Sequence, residues 1–75
     1  MRAKYSVTHY ETYSKTSLDV LDEFLRWLYS RGISDPEDVG EILGVSAYKA
    51  RQLQRREDLP KERVKKMMME VMKDG

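Results

Sequence analysis

Apolar residues recur at the spacing of an α-helix in four stretches of the chain, and this pattern predicts four helices. The first stretch has two adjacent apolar stripes, formed by Leu18, Leu21, Leu25 and Leu28 and by Val20, Phe24 and Trp27. Thr16 and Asp19 match a capping box at its start, and Gly32 is a stop signal after its end. We therefore expect a helix over residues 17–30, with the leucine stripe facing inward.

Two shorter helical patterns follow, separated by a glycine. Asp35 and the proline after it form a helix-start signal, because aspartate caps free amides and proline at the first position has no amide hydrogen to leave unpaired. Gly44 readily takes the positive φ of a C-terminal cap, and Ser46 can cap the next helix. The inward positions are Val39, Ile42, Leu43, Val45, Ala50 and Leu53. The pattern predicts helices over residues 36–43 and 47–57.

The last apolar pattern follows Pro60, which can begin a helix. Its stripe consists of Val64, Met67, Met68, Val71 and Met72, and it predicts a helix over residues 60–73. Residues 1–15 hold tyrosines and other β-favouring side chains without a helical stripe, so we expect an extended arm or a short strand there. Together these patterns predict an all-α protein: one small four-helix domain over residues 1–75 with a short extended N-terminal arm.

The composition argues against several kinds of chemistry. The chain has no cysteine, which removes disulfides, thiolate zinc sites and cysteine nucleophiles, and a single histidine, His9, cannot make a metal site alone. It has no glycine-rich phosphate loop and no nucleophile paired with a base, so we expect no enzyme, no catalytic residue, no cofactor and no small-molecule ligand. No apolar run approaches the ~20 residues that span a bilayer, and no signal peptide pattern follows Met1. We expect a cytoplasmic protein without a membrane partner.

The positive charge is unevenly distributed, although the whole chain has a net charge of only +1. Residues 46–56, which cover the cap and nearly all of the predicted third helix, carry four basic residues and no acid: Lys49, Arg51, Arg55 and Arg56. A basic run is commonly just a solvated helix face, but such faces usually interleave acids with the bases. Since phosphate contacts supply most non-specific DNA affinity, this concentration of charge favours a nucleic-acid partner.

Residues 35–59 resemble the helix-turn-helix of small bacterial, phage and archaeal repressors. Gly40 lies four positions before the turn glycine, where that family has a small residue because its two helices cross closely. Leu43 and Val45 fill the apolar places on either side of Gly44, and two further inward places hold Ala50 and Leu53. One departure is that Ala50 is smaller than the branched residue usual there. The resemblance covers about a third of the chain and implies a DNA-binding transcription regulator, a repressor acting as a dimer.

The resemblance also implies which residues meet double-stranded DNA. If Ala50 and Leu53 face inward, helical periodicity places a set of side chains outward, toward the base edges of the major groove. The predicted base contacts are Ala47, Tyr48, Arg51, Gln52 and Arg55, and the predicted DNA backbone contacts are Ser46, Lys49 and Arg56. We also expect the free amides at the starts of the second and third helices, near Pro36 and Ala47, to bind phosphates.

Two other functions remain open from the sequence. Helix-turn-helix domains also serve as architectural, excision or packaging DNA-binding subunits of phages, which residues 35–59 resemble no less. Alternatively, the chain is a protein-interaction module that uses its methionine-rich C-terminal helix. The methionine stripe suits core cover, a dimer interface or an adaptable groove for a partner protein, and core cover is the default because a three-helix unit leaves the first helix incompletely buried. A homodimer would form through this helix or through the N-terminal arm.

Overall fold

The computed structural model describes residues 16–74, and in this part of the chain all regular secondary structure is α-helical. The helices are α1 (Ser17–Tyr29), α2 (Pro36–Leu43), α3 (Ala47–Gln54) and α4 (Glu62–Asp74). The predicted all-α class is therefore confirmed, as is the number of helices. The predicted arm over residues 1–15 lies outside the described residues. None of the helices in the described range is long and apolar enough to cross a bilayer.

Helix α1 begins at the predicted capping box. The Thr16 hydroxyl accepts a hydrogen bond of 3.1 Å from the backbone N–H of Asp19, and the Asp19 carboxylate accepts one of 3.4 Å from the backbone N–H of Thr16. Such caps stabilise a helix by about 1 kcal/mol. The helix is closed by Gly32 at φ +78°, after which the Ile33 N–H donates to the Leu28 carbonyl at 3.0 Å. The predicted start and stop signals of α1 are both confirmed.

The buried face of α1 lies between the two predicted stripes. It consists of Val20, Leu21, Phe24, Leu25 and Leu28, each at most 1% exposed. At about 100° per residue, Leu18 and Trp27 each lie about 90° from the centre of this face, on opposite sides. The prediction that Leu18 faces inward is wrong. Its position about 90° from the centre of the buried face leaves Leu18 43% exposed in the first turn.

Trp27 is only partly buried, at the edge of the α1 core face. Its ring stacks on Phe24 with the ring centroids 6.3 Å apart, and the Arg31 guanidinium lies over the indole ring, 3.8 Å from its centroid. Arg31 also donates to the Trp27 carbonyl at 3.3 Å. A cation thus covers the part of the indole that the core does not.

Helices α2 and α3 are joined by a three-residue turn, residues 44–46, whose bonds all follow from local sequence. The Asp35 carboxylate accepts from the Glu37 N–H at 2.9 Å and so caps α2. Gly44 ends α2 in the left-handed region at φ +72°, as predicted. The Ser46 hydroxyl then accepts from the Lys49 N–H at 3.1 Å and caps α3. Both predicted caps and the predicted range of α2 are confirmed.

Position 40 requires glycine because the backbone of the turn lies close to it, and not because helix α3 itself does. The backbone N–H of Val45 donates to the Gly40 carbonyl at 2.9 Å, which pulls the turn onto α2. A Cβ at position 40 would lie 2.6 Å from the Val45 carbonyl oxygen and 3.2 Å from the Ser46 carbonyl carbon. Backbone atoms this close cannot yield as a flexible side chain does, so only glycine fits without a shift of the turn.

Helix α3 ends at Gln54, three residues before the predicted end. Arg56 adopts the left-handed region at φ +59° and donates its N–H to the Leu53 carbonyl at 3.1 Å. The Glu57 N–H donates to the Gln52 carbonyl at 2.9 Å. These two bonds form a Schellman motif, which commonly has glycine at its left-handed position. An arginine there carries no stop signal in the sequence, so the prediction extended the helix too far.

Helix α4 begins two residues later than predicted and ends one residue later, at Asp74. Pro60 is buried and precedes the helix instead of starting it. Only two residues of the predicted stripe, Val64 and Met68, are buried; partly buried residues that pack against the core are Met67, Met69, Val71 and Met72. Helix α4 packs mainly on α1 and also contacts α2, while α2 and α3 pack on each other.

Candidate functional site

The orientation of α3 is set by two inward apolar side chains. Ala50 and Leu53 are fully buried in the core, so the opposite side of the helix faces solvent. At about 100° per residue, Tyr48 and Arg55 lie at the centre of that side, with Arg51 and Gln52 to either side of them. We call these four residues, Tyr48, Arg51, Gln52 and Arg55, the outer face of α3. They include four of the five predicted base contacts.

The exposure of the predicted base contacts decreases from the centre of this face to its edge. Tyr48 is 73% exposed, and Arg51 and Arg55 are also exposed. Gln52 is half-buried, and so is Ala47, which lies in the first turn about 90° from the centre of the outer face. The structure therefore brings Tyr48, Arg51, Gln52 and Arg55 together, and it places Ala47 beside them rather than among them.

Few contacts within the protein hold the polar groups of the outer face. The Gln52 side-chain amide donates to the Tyr48 hydroxyl at 3.3 Å, one helical turn away. The Arg55 guanidinium lies 3.9 Å from the Glu57 carboxylate, with both side chains more than half exposed, so this pair is weak. In the described part of the chain, the Arg51 guanidinium forms no hydrogen bond or ion pair. Two guanidinium groups are thus available to an external acceptor.

Two of the predicted DNA backbone contacts lie at the N-terminus of α3, and each already has a partner. Ser46 uses its hydroxyl oxygen as the helix cap, while its own hydroxyl hydrogen remains able to donate. The Lys49 ammonium pairs with the Asp58 carboxylate, both about one-third exposed. This hydrogen bond from Lys49, followed by one from the backbone N–H of Leu59, lowers the pKa of Asp58 below 3.8. Asp58 is therefore charged throughout the neutral range.

The third predicted backbone contact, Arg56, is a structural link between α3 and α1. Its Nε and Nη2 atoms donate to one carboxylate oxygen of Asp22 at 2.9 Å and 2.7 Å, and its Nη1 donates to the Gln54 carbonyl at 2.8 Å. Three of its five N–H groups are thus used inside the protein. The Arg56 side chain holds the end of α3 against α1, and its contact with DNA stays a prediction.

The two predicted phosphate sites at helix N-termini differ in charge. The start of α2 has three carboxylates, from Asp35, Glu37 and Asp38, and the Glu37 amide already donates to Asp35. These carboxylates would repel a phosphate. The first turn of α3 has no acid and a neutral Ser46 cap. Because a helix N-terminus attracts anions, the geometry favours a phosphate at α3 and disfavours one at α2.

Sequence reasoning missed the residues that hold α3 in place from other parts of the chain. Besides Asp22 and Asp58, these include Ser34, whose carbonyl accepts from the Gln54 side-chain amide of α3 at 2.8 Å. The partners are 34, nine and 20 positions apart in the sequence. Neither helical periodicity nor a capping rule relates residues at such separations, so the sequence contained no local signal for these contacts.

Comparisons with known proteins give this chain no family. A scan against protein-family models, a search of curated proteins and a search of solved structures each found no match. Its function is therefore inferred from its own residues and their arrangement.

Proposed function

We propose that this protein binds double-stranded DNA in a sequence-dependent way, with α3 in the major groove and its outer face on the base edges. One observation carries the proposal: the four residues of that face project from a helix whose opposite side is fully buried, with no acid between Ser46 and Arg56. An α-helix fits the major groove, where each base pair presents a distinct set of donors and acceptors. A helix whose opposite side is buried holds its outward side chains in fixed positions, from which they can pair with these donors and acceptors.

Each residue of the outer face can pair with a group on the bases or on the adjoining DNA backbone. Arg51 and Arg55 can each donate two N–H groups to the O6 and N7 of guanine, and Gln52 can pair with the N6 and N7 of adenine. Each such pair contributes about 1–3 kcal/mol of discrimination. Tyr48, the most exposed of the four, suits a sugar or phosphate contact.

The N-terminus of α3 would position the helix on the DNA backbone. Ser46 and Lys49 lie there together with the free amides of the first turn, and no acid belongs to that turn. Amides at a helix N-terminus and a lysine ammonium bind phosphate without reading sequence. Their contribution makes affinity fall as salt rises, because phosphate contacts release counterions.

We infer that the biological role is transcriptional repression by a dimer on a two-fold symmetric operator. One helix of eight residues offers few base contacts, and doubling them provides the affinity that regulators need at physiological salt. The half-sites would then lie about 34 Å apart, or a multiple of that distance. The dimer would form through α4, where Met67, Val71 and Met72 are only partly buried, or through residues 1–15.

Selection of binding sites from random duplex DNA tests this function, with the mass of the free protein and of the complex measured alongside. We expect one short palindromic sequence, bound by two copies of the chain. Protection that spreads along the DNA would instead support an architectural or packaging subunit. Failure to shift any duplex at low salt would overturn DNA binding and favour a protein-interaction module.

A further inference from the structure

The ion pair between Lys49 and Asp58 places a fixed carboxylate at the edge of α3. One oxygen of Asp58 accepts from the Lys49 ammonium, and the other accepts from the Leu59 backbone N–H at 2.8 Å. Both side chains of the pair are partly exposed, at 31% and 34%, so an external anion can reach them. The carboxylate therefore occupies an anion position beside the first turn of α3.

The chain returns to this position because of the Schellman motif that closes α3. Arg56 in the left-handed conformation reverses the chain direction after Gln54, and its guanidinium is held by Asp22 of α1. Asp58 follows two residues later and meets Lys49, nine positions back in the sequence. The turn thus fixes the backbone that brings Asp58 to Lys49.

We propose that Asp58 competes with a DNA phosphate for the Lys49 ammonium and so limits the affinity of this protein for DNA. This inference rests on the proposed function. A phosphate that approaches Lys49 meets the Asp58 charge at contact distance, and like charges at that distance repel. The phosphate must displace the carboxylate, which then needs its own counterion. The net release of counterions at Lys49 is therefore smaller than at an unpaired lysine.

Other charged groups near α3 do not compete in this way. Arg56 binds Asp22 on the α1 side of the turn, and its role is structural. Glu57 lies 3.9 Å from Arg55, with both side chains well exposed, a distance at which ion pairs contribute little. Asp58 is thus the acid that pairs with the predicted phosphate contact at the N-terminus of α3.

The test compares Asp58→Asn with Glu70→Gln on the selected duplex. Both substitutions remove one negative charge and keep the shape of the side chain, but Glu70 is exposed on α4, which packs on α1 and α2. Asparagine can still accept from the Leu59 N–H, so the loop keeps that bond. We expect Asp58→Asn to bind about two- to fivefold more tightly, with a steeper salt dependence, and Glu70→Gln to bind like the natural chain.

A Lys49→Ala background shows whether Asp58 acts through Lys49. There, Asp58→Asn should give no further gain, because the ammonium for which the two anions compete is absent. Circular dichroism on all variants measures the folded fraction, and each affinity is compared per folded molecule. If the gain in duplex affinity persists without Lys49, or if Asp58→Asn gives no gain, the competition is overturned. Duplex binding by the natural chain would still support the proposed function. Loss of duplex binding in every protein, including the natural chain, would overturn both.

Discussion

Position 40 lies where α2 touches the turn that leads to α3, and space there is limited to a hydrogen atom. A Cβ would approach the Val45 carbonyl oxygen to 2.6 Å. The same turn supplies Ser46, the cap of α3. A displaced turn would therefore shift the helix that presents the outer face.

Gly40→Ala should destabilise the fold by about 1–3 kcal/mol, because the turn backbone must move away from the added methyl group. This sign is opposite to that of helix propensity, which favours alanine over glycine by up to about 1 kcal/mol inside a helix. Urea unfolding followed by circular dichroism measures the change. Glu41→Ala, at the next and exposed position of α2, is the control and should shift stability by less than about 0.5 kcal/mol. A Gly40→Ala variant as stable as the natural chain would contradict the close approach.

Arg51 is the residue of the outer face whose loss should affect base reading most directly, since it is exposed and its guanidinium has no partner in the described part of the chain. Arg51→Ala should cost about 1–3 kcal/mol on the selected duplex and relax the preference at one base pair. Competition binding against single-base variants of the site measures both effects. Lys66→Ala, which removes one exposed positive charge from α4, is the matched control and should leave the base preference intact.

Lys49→Ala should behave differently from Arg51→Ala. It should weaken binding to all duplex sequences alike and flatten the salt dependence, because a phosphate contact carries no base information. Titrations of the selected and a scrambled duplex at several salt concentrations separate the two patterns. If neither Lys49→Ala nor Arg51→Ala alters duplex binding, the interface lies elsewhere on the protein.

At the scale of elements, the end of α3 depends on a residue in a conformation that its type disfavours. Arg56 has φ +59°, a region that costs a residue with a Cβ about 1 kcal/mol, yet its side chain makes three hydrogen bonds there. The bonds to Asp22 connect α3 to α1, two helices that make little direct packing contact with each other. The three side-chain hydrogen bonds of Arg56 thus offset the free-energy cost of its left-handed backbone conformation.

Substitutions at Arg56 can separate these two effects. Arg56→Ala loses the bonds and keeps the strain, whereas Arg56→Gly loses the bonds and relieves the strain, so the glycine variant should be the more stable by about 1 kcal/mol. The same pair of substitutions at Arg55, where φ is −89°, is the control and should favour alanine. Thermal unfolding of the four variants measures the order. An alanine variant more stable than the glycine variant at position 56 would contradict the left-handed turn.

The loop between α3 and α4 should respond to pH through Asp58. Its pKa is lowered in the folded protein, chiefly by the hydrogen bond from Lys49, while in the unfolded chain it has its ordinary value of 3.8. The folded state therefore gains stability from ionised Asp58 above pH 3.8 and loses it as pH falls through the lowered pKa. Asp58→Asn should be less stable than the natural chain at neutral pH. Urea unfolding should show this difference shrinking below pH 3.8, and a difference that is constant with pH would contradict the ion pair.

At the scale of the whole molecule, α4 completes the core with very few side chains. Met68 is its one fully buried residue, and Val64 is its other buried apolar residue in the described range. A single core in a chain below about 70–80 residues rarely supplies more than about 3–5 kcal/mol. The free energy of unfolding is therefore sensitive to any loss of buried apolar surface where α4 meets the core.

Met68→Ala should cost about 2–5 kcal/mol, which is comparable to the whole stability of a domain this small, and should leave much of the protein unfolded at room temperature. Circular dichroism and thermal unfolding measure the loss. Met67→Ala, at the neighbouring half-buried position, is the control and should cost less. A selected duplex should restore folded Met68→Ala by mass action if DNA binds only the folded state. A Met68→Ala variant that unfolds like the natural chain would show that α4 does not close the core.

The sequence by itself determined the helices and most of their ends, because caps, turn glycines and helical periodicity act between residues a few positions apart. The capping box at Thr16, the cap at Asp35 and the left-handed Gly44 were all predictable on that ground. The same periodicity assigned an outward side to α3, and the buried Ala50 and Leu53 agree with that assignment.

Only the tertiary structure decided which outward charges are free. Lys49 pairs with Asp58 and Arg56 with Asp22, so two of the four basic residues counted in the sequence are engaged inside the protein. These pairs join residues that only the packing of α1 and the turn after α3 brings together. A left-handed arginine, which no sequence rule marks, creates that turn. Local patterns thus specify where helices begin and end, whereas the charge presented by a helix face depends on side chains that reach it from elsewhere in the fold.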